Sequence, residues 1–228
     1  MKKPKIITID GPAASGKSTI AEKLSIHFEF LYFDTGVMYR AVTWAALQDL
    51  GGVDNEASVS ALAKRIQIDV RSPTINDGRK YEVLVNGEDI TQKIRLPEVN
   101  QNVSQVSTYR GVREAMSAQQ RKIGLREAVV MVGRDIGTVV LPEADMKIYL
   151  DASAEERARR RYVEEKSNPS SQSYEEILAS ILRRDEIDSN RDVAPLKPAS
   201  DAVIIISDDL DIEGVFQKVL EIIQSRMG

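Results

Sequence analysis

The chain has 228 residues, with 31 Lys or Arg and 35 Asp or Glu, and its formal net charge is −4 at pH 7. Neither sign of charge dominates, which excludes the strongly basic surface of a duplex-binding protein, and we expect no nucleic-acid or membrane partner. The sequence has no cysteine, so disulfides, zinc–thiolate sites and thiol nucleophiles are excluded.

Apolar stretches in this sequence are short. The run at residues 202–206 is typical of them, and it is far below the roughly 20 residues of a membrane span. No long apolar segment precedes the first strand-like run, as a secretion signal would require. We therefore expect a soluble, cytoplasmic protein.

The first predicted elements are a strand, a loop and a helix. Residues 5–10 are rich in β-branched side chains, which is typical of a buried strand. Residues 11–18 form a glycine-bearing turn, and residues 19–28 carry apolar side chains at helical spacing. This order is typical of the start of a parallel α/β sheet.

The turn matches G-x-x-x-x-G-K-[ST], a loop that binds the phosphates of a nucleoside triphosphate. Its glycines let main-chain amides point at phosphate oxygens, and the following helix directs its positive end at the same anion. We expect Lys17 to neutralise the β and γ phosphates of ATP and the Ser18 hydroxyl to ligate Mg²⁺. The predicted ATP contacts in this segment are Gly11, Pro12, Ala13, Ala14, Ser15, Gly16, Lys17, Ser18 and Thr19.

Asp10 directly precedes this loop, and two roles are open for it. Its carboxylate either lies close to the magnesium ion without ligating it, or belongs to the loop with no such function.

The next part of the chain changes character. A short strand at 31–34 and helices at 38–50 and 59–65 continue the α/β pattern. Residues 66–70 and 81–85 then read as strands, and Asn76-Asp77-Gly78 and Asn86-Gly87 are hairpin-type turns. The sequence therefore predicts a small antiparallel insert at about residues 66–95.

The remaining chain returns to alternating elements. We predict helices at 97–106 and 110–123, strands at 128–132, 147–150 and 202–206, and a closing amphipathic helix at 212–226. Ser153 with Glu156, and Ser173 with Glu176, have the spacing of capping boxes that open two further helices. We interpret the polar segment 166–173 between these helices as a flexible connector, or as a hinge for a lid; the two interpretations are compatible.

Arginine placement indicates the kind of phosphoryl acceptor. An alcohol acceptor needs a carboxylate base, whereas a phosphate monoester is already anionic and needs clustered guanidiniums. Arg134 and Asp135 follow the predicted core strand 128–132, at the carboxyl end where ligands bind in such sheets. Arg184, Asp188 and Arg191 have the spacing that places three residues on one helix face. This pattern favours a phosphate acceptor.

Several segments together resemble the bacterial cytidylate kinase family. They are Asp34-Thr35-Gly36, Tyr39-Arg40, the insert segments 85–91 and 94–95, Gly133-Arg134-Asp135, Gly137-Thr138, Arg184, Asp188, Asn190-Arg191 and Val193-Ala194-Pro195. The resemblance covers nearly the whole chain. It implies a P-loop NTPase fold with a parallel sheet flanked by helices, a small antiparallel β insert and a short helical lid. It also implies transfer of the γ-phosphoryl group of ATP to CMP or dCMP with Mg²⁺.

The resemblance also implies roles for single residues. Thr35, Arg113 and Asp135 match positions near the cytosine, and the aspartate faces its exocyclic amine. Arg40 and Arg134 match positions that bind the acceptor phosphate, and Arg191 matches a further arginine of the acceptor site. Ser104, Arg184 and Asp188 match positions around ribose and phosphate. Arg157 and Arg161 match the lid that closes over ATP, and Tyr39 adjoins the acceptor site. The implied catalytic residues are Lys17, Arg134, Arg184 and Asp188.

The resemblance divides the chain into a core of residues 1–34, 106–153 and 188–228, a monophosphate-binding region at 35–105 and a lid at 154–187. It also implies a monomer. Two alternatives are a kinase acting on UMP or another small phosphate, and a nucleotide-dependent switch module. Asp135 has an alternative role as a magnesium ligand, since strand ends often carry metal ligands in P-loop enzymes.

Overall fold

The computed structural model describes residues 4–165 and 172–227, so that most of the predicted connector at 166–173 lies outside the described residues. The strands are β1 (Ile6–Asp10), β2 (Leu31–Asp34), β3 (Ile68–Arg71), β4 (Glu82–Val85), β5 (Glu88–Asp89), β6 (Val129–Gly133), β7 (Met146–Asp151) and β8 (Val203–Ile206). The helices are α1 (Lys17–Phe28), α2 (Gly36–Asp49), α3 (Glu56–Arg65), α4 (Pro97–Val106), α5 (Arg110–Arg126), α6 (Ala154–Glu165), α7 (Tyr174–Asn190) and α8 (Ile212–Met227).

Five strands form a parallel sheet in the order β2-β6-β1-β7-β8. The register of β1 on β7 runs from Ile7 opposite Met146 to Asp10 opposite Tyr149. Every residue of β6, and nearly every residue of β1 and β7, is buried. Central strands covered on both faces read as continuous apolar runs, which is why the sequence predicts them well. The predicted α/β fold with a parallel sheet is confirmed.

The antiparallel insert is also confirmed. Strands β3, β4 and β5 form a separate three-stranded sheet in chain order. Asn86 and Gly87, with φ angles of 50° and 89°, make the two-residue turn between β4 and β5. Positive φ at both turn residues is the requirement of a type I′ hairpin, whose twist matches the strands it joins. The predicted turn at Gly78 lies between β3 and β4, which pair antiparallel as predicted.

The two predicted capping boxes have different outcomes. Ser173 and Glu176 form a complete box at the start of α7, with hydrogen bonds in both directions. At α6 the Ser153 hydroxyl accepts from the Glu156 amide at 3.3 Å, but the Ser153 amide donates to Asp208 at 3.0 Å. The Glu156 carboxylate pairs with two arginines of its own helix instead. The second half of the predicted box at Ser153 is therefore wrong, because stronger ionic partners are available.

Two compact units make up the described chain. One contains the residues up to Phe28 together with those from Val132 onward, and the other contains Glu29–Met131. In the first unit α1 packs on β1 and α8, and α6 packs on α7. In the second unit α3 packs on α5, and α2 packs on α4. Within the described residues, each helix is either too short or too polar to cross a bilayer.

Candidate active site

The phosphate-binding loop, residues 11–18, joins β1 to α1 and has a backbone that only glycine permits at two points. Gly11 has a φ of 146°, and a Cβ placed there would lie 2.1 Å from the Leu150 carbonyl oxygen. Gly16 has a φ of 87°, in the left-handed region that favours glycine. The loop therefore approaches β7 closely and then turns into the first residue of α1.

Lys17 starts α1 and is buried. Its ammonium group folds back over the loop and donates to the Pro12 carbonyl and to the Ser15 hydroxyl, the latter at 3.3 Å. Ser18 and Thr19 are exposed in the first turn of the helix. The loop thus combines a glycine-shaped backbone, one ammonium group and the positive end of a 12-residue helix.

Asp10 is buried, and main-chain amides donate hydrogen bonds to its carboxylate. Its two carboxylate oxygens accept from the amides of Ile136 and Gly137 at 2.9 and 2.7 Å. Burial raises the pKa of Asp10 to about 6, although the two amide bonds oppose that rise. Asp10 therefore fixes the turn that follows β6, and this turn carries Arg134 and Asp135.

Gly137 shows how tightly that turn is held. A Cβ at this position would lie 3.1 Å from the Thr8 hydroxyl and 3.3 Å from an Asp10 carboxylate oxygen. Both contacts are closer than most Cβ atoms tolerate, so glycine allows the backbone to reach the buried carboxylate.

Five of the predicted acceptor residues lie together in the unit that contains the phosphate-binding loop. We call them the Asp188 cluster, and its members are Arg134, Asp135, Arg184, Asp188 and Arg191. Arg134 Nε donates to Asp188 at 2.8 Å, and Arg191 donates to Asp188 at 3.3 Å and to Asp135 at 3.4 Å. Arg184 is half exposed and lies 4.0 Å from Asp188. Three guanidiniums against two carboxylates leave this cluster with one net positive charge.

Arg191 contacts the cluster from outside the helix in which the sequence predicts it. Helix α7 ends at Asn190, and Arg191 has an extended backbone, with φ −68° and ψ 140°. The prediction that Arg191 shares a helix face with Arg184 and Asp188 is therefore wrong in its geometry. The contact with Asp188 forms nevertheless, because the Arg191 side chain turns back and its Nε is held by the Ala194 carbonyl at 2.6 Å.

The other predicted acceptor residues lie in the unit Glu29–Met131. Thr35 is buried at the start of α2. Arg113 is buried on α5, donates to the Ser107 carbonyl at 3.3 Å, and lies 5.7 Å from the centre of the Tyr39 ring. This distance is within the range of a cation–π contact. The structure therefore brings Tyr39 and Arg113 together.

Arg40 and Ser104 lie in the same unit, but each has its own hydrogen-bond partners. Arg40 donates to the Ile94 carbonyl at 3.3 Å and to the Asn100 side chain. Ser104 is exposed on α4, and its carbonyl accepts from the Ser107 hydroxyl at 2.8 Å. Asn100 has no motif around it, and the sequence gives no signal that would have identified it as a partner of Arg40.

The two predicted lid arginines differ sharply in their exposure to solvent. Arg161 is exposed on α6, whereas Arg157 is only 4% exposed. The described hydrogen bonds of Arg157 go to Ala152, Ala13 and Asp185. Asp185 was missed by sequence reasoning, because its spacing along α7 does not indicate a partner on α6. The ATP contact of either arginine stays a prediction.

Taken with the parallel sheet, the strand–loop–helix geometry at residues 6–28 defines a P-loop NTPase fold. Residues 7–225 match the family model described as cytidylate kinase. A cytidylate kinase from Herpetosiphon aurantiacus is 49% identical over 98% of this chain and 96% of that protein. One from Chloroflexus aggregans is 50% identical over 92% of this chain and 90% of its own length. The chain belongs to the cytidylate kinase family.

Among solved structures, an uncharacterized protein from Eubacterium ventriosum superposes with a TM-score of 0.52 at 11% sequence identity. The match covers 96% of this chain and 98% of that protein. At this level of identity the similarity concerns the fold alone.

Proposed function

We propose that this protein is a cytidylate kinase that transfers the γ-phosphoryl group of ATP to CMP or dCMP and releases ADP with CDP or dCDP. The observation that carries the proposal is the family match over residues 7–225. The Asp188 cluster supports it, because clustered guanidiniums suit an acceptor that is itself a phosphate.

On the donor side, the phosphate-binding loop supplies main-chain amides and the ammonium group of Lys17. The positive end of α1 and the loop amides hold the β and γ phosphates without reorganising during the reaction. Lys17 exchanges its bonds with the Pro12 carbonyl and Ser15 for phosphate oxygens. Its charge then neutralises the phosphoryl group as it moves between the two nucleotides.

On the acceptor side, Arg134, Arg184 and Arg191 orient the monophosphate, and Arg40 provides a further guanidinium. The attacking oxygen of a phosphate monoester is anionic at neutral pH, so the transfer needs no protein base. Catalysis is therefore in-line positioning and charge stabilisation. Asp188 keeps Arg134 and Arg191 in place and, with Ser104 and Arg184, lies around the ribose and phosphate of the acceptor.

Recognition of the base is assigned to Thr35, Arg113 and Asp135, with Tyr39 stacked near Arg113. A carboxylate that accepts from the cytosine amine discriminates against uracil, which presents a carbonyl at that position. The mismatch leaves two acceptors facing each other without a proton between them. Asp135 therefore gives a physical reason for a preference for CMP over UMP.

Mg²⁺ fits the donor set of this protein. Within the described ranges, no group of three or more His, Cys, Asp or Glu side chains could hold a metal ion by itself. Mg²⁺ in nucleotide sites characteristically uses one or two protein ligands, with phosphates and water completing its octahedron. The exposed Ser18 hydroxyl suits that role, whereas the Asp10 carboxylate already accepts two main-chain amides. When bound there, the ion would supply neutralisation of the phosphate charge.

In this function residues 35–105 bind the monophosphate, and residues 154–187 form a lid that excludes water from ATP. Arg161 is the lid residue proposed to contact the nucleotide. A monomer in the cytoplasm is expected from the family resemblance, and gel filtration with light scattering checks the monomeric state.

A coupled assay of ADP release with CMP, dCMP, UMP, AMP and GMP tests the proposed function. We expect CMP and dCMP to have the largest kcat/KM. Faster turnover of UMP would favour the alternative of a UMP/CMP kinase. Equal or better turnover of AMP or GMP would overturn the base assignment. ADP release that no monophosphate accelerates would favour a nucleotide-dependent switch.

A further inference from the structure

Arg157 has the surroundings of a structural group rather than of a ligand for ATP. Its Nε donates to the Ala152 carbonyl at 2.9 Å, and one terminal nitrogen donates to the Ala13 carbonyl at 3.0 Å. Both terminal nitrogens pair with the two carboxylate oxygens of Asp185, at 3.2 and 2.6 Å. A planar guanidinium presents five N–H donors in a rigid fork, which lets it donate to three partners in fixed directions at once.

The contact with Ala13 acts directly on the phosphate-binding loop. In a trans peptide the carbonyl and the next amide point in opposite directions. A hydrogen bond from Arg157 to the Ala13 carbonyl therefore fixes the direction of the Ala14 amide. Ala14 has a φ of 61°, a conformation that is unfavourable for alanine and needs support from its surroundings. Amides of this loop are the groups that face the phosphates of the nucleotide.

Asp185, the carboxylate partner of Arg157, lies on α7. It directly follows Arg184 and precedes Asp188 by less than one helical turn, so α7 carries two members of the Asp188 cluster together with the partner of Arg157. Apolar side chains hold α6 and α7 together, among them the buried Ala158, Ile177 and Ile181. Asp185 is therefore held at a fixed distance from Arg157 by the packing of the two helices.

We propose that Arg157, oriented by Asp185, is a positioning residue that sets the shape of the phosphate-binding loop for ATP and does not itself bind the nucleotide. The inference rests on the proposed use of the loop for ATP, but it does not depend on which acceptor is phosphorylated. It also gives Asp185 an effect on ATP affinity through two intervening groups, Arg157 and the Ala13 carbonyl.

The test measures ATP affinity of the full chain without acceptor, by titration with the non-hydrolysable analogue AMP-PNP and Mg²⁺. The variant is Asp185→Asn, which keeps the shape of the side chain but removes its charge. We expect Kd for AMP-PNP to rise about tenfold, the size of one lost charge-assisted hydrogen bond. KM for CMP should stay within about twofold, because the Asp188 cluster is intact.

Glu186→Gln is the matched control, because it removes a carboxylate from the neighbouring exposed position of the same helix. It should leave both constants and Tm unchanged. Arg157→Lys is the second variant. It keeps the positive charge but cannot hold three partners at once, so it should raise Kd for AMP-PNP selectively.

An unchanged Kd for AMP-PNP in Asp185→Asn would overturn the proposal. So would a parallel loss of CMP and AMP-PNP binding with a lowered Tm, or failure of both variants to fold, because each indicates a general structural role. Because AMP-PNP binding is measured without acceptor, failure of the CMP assignment in the ADP-release assay leaves this test intact.

Discussion

The phosphate-binding loop and the Asp188 cluster hold charge in contrasting ways. The loop is eight consecutive residues whose main chain forms the site, with Lys17 as its single cation. The cluster consists of side chains from the turn after β6, from α7 and from the residue that follows α7, and Arg134 and Asp188 are 54 positions apart in the sequence. A site made of main chain keeps its shape whichever acceptor is present, whereas a site made of ion pairs selects by charge and geometry.

The ion pairs between members of the Asp188 cluster have a functional consequence. Arg134 and Arg191 share the two oxygens of Asp188, and Arg191 also reaches Asp135. Partly buried pairs of this kind contribute little net stability but fix side-chain direction, and removal of one partner leaves the other unpaired. We therefore expect loop variants to weaken transfer to every acceptor, and cluster variants to change how acceptors are distinguished.

The largest effect is expected for Lys17→Met, which removes the only ammonium group of the loop. The loss of charge stabilisation should lower kcat about 10³-fold, to a similar degree with CMP and with UMP. ADP release with each acceptor measures it. Lys23→Met is the matched control, because Lys23 lies on the same helix in an exposed ion pair with Glu213. A loss confined to one acceptor would break the contrast between loop and cluster.

Asp10 connects the two regions, and its pKa makes the connection measurable. Burial raises this pKa from 3.8 to about 6, and the neighbouring charge of Asp135 adds to the rise while Lys17 opposes it. The folded state therefore binds the proton more tightly than the unfolded state does. The contribution to stability is fully present below pH 3.8 and is lost as the pH rises through about 6, with a total of about 3 kcal/mol.

Asp10→Asn removes that titration. Urea unfolding of both proteins between pH 4 and pH 7 measures the difference in unfolding free energy. The wild-type value relative to the variant should fall by about 2.4 kcal/mol over this range, which is most of the total. If the plots of unfolding free energy against pH for the two proteins remain parallel, Asp10 does not titrate in this interval. The Ile136 and Gly137 amides would then stabilise its charged form enough to offset the effect of burial.

Arg134→Ala tests the cluster itself. It removes a guanidinium from the proposed acceptor phosphate and leaves Asp188 with one partner fewer, so kcat/KM for CMP should fall about 100-fold. Kd for AMP-PNP should stay within about twofold. Arg183→Ala, at an exposed position of α7, controls for the loss of a nearby guanidinium. An unchanged kcat/KM would remove Arg134 from the acceptor site.

The smallest effect concerns Asp135→Ala. The ratio of kcat/KM for CMP to that for UMP should fall about tenfold, because the variant loses the acceptor for the cytosine amine and no longer opposes the uracil carbonyl. The ratio comes from the same ADP-release assay. If the CMP-to-UMP ratio of kcat/KM is unchanged and the variant needs a higher Mg²⁺ concentration, Asp135 is a magnesium ligand instead.

The sequence predicts those features that depend on neighbouring residues. The strand–loop–helix segment at residues 6–28, the Asn86-Gly87 hairpin and the buried strands are encoded in short contiguous segments, and the structure confirms the geometry of all three. The partners of Arg157 and Asp10 are not encoded in this way, because Asp185 and the Gly137 amide approach them only through tertiary packing. Arg191 is an intermediate case, since its spacing correctly suggests contact with Asp188 although the helix ends one residue earlier.

The fate of a labelled γ-phosphoryl group tests the central claim most directly. The protein is incubated with Mg²⁺, CMP and ATP labelled at the γ phosphate, and the nucleotides are separated from inorganic phosphate. The proposed kinase activity predicts that the label appears in CDP and that its appearance requires CMP. Label found only in inorganic phosphate, with CMP unchanged, would contradict phosphoryl transfer to a nucleotide and would identify the protein as an ATP-hydrolysing switch.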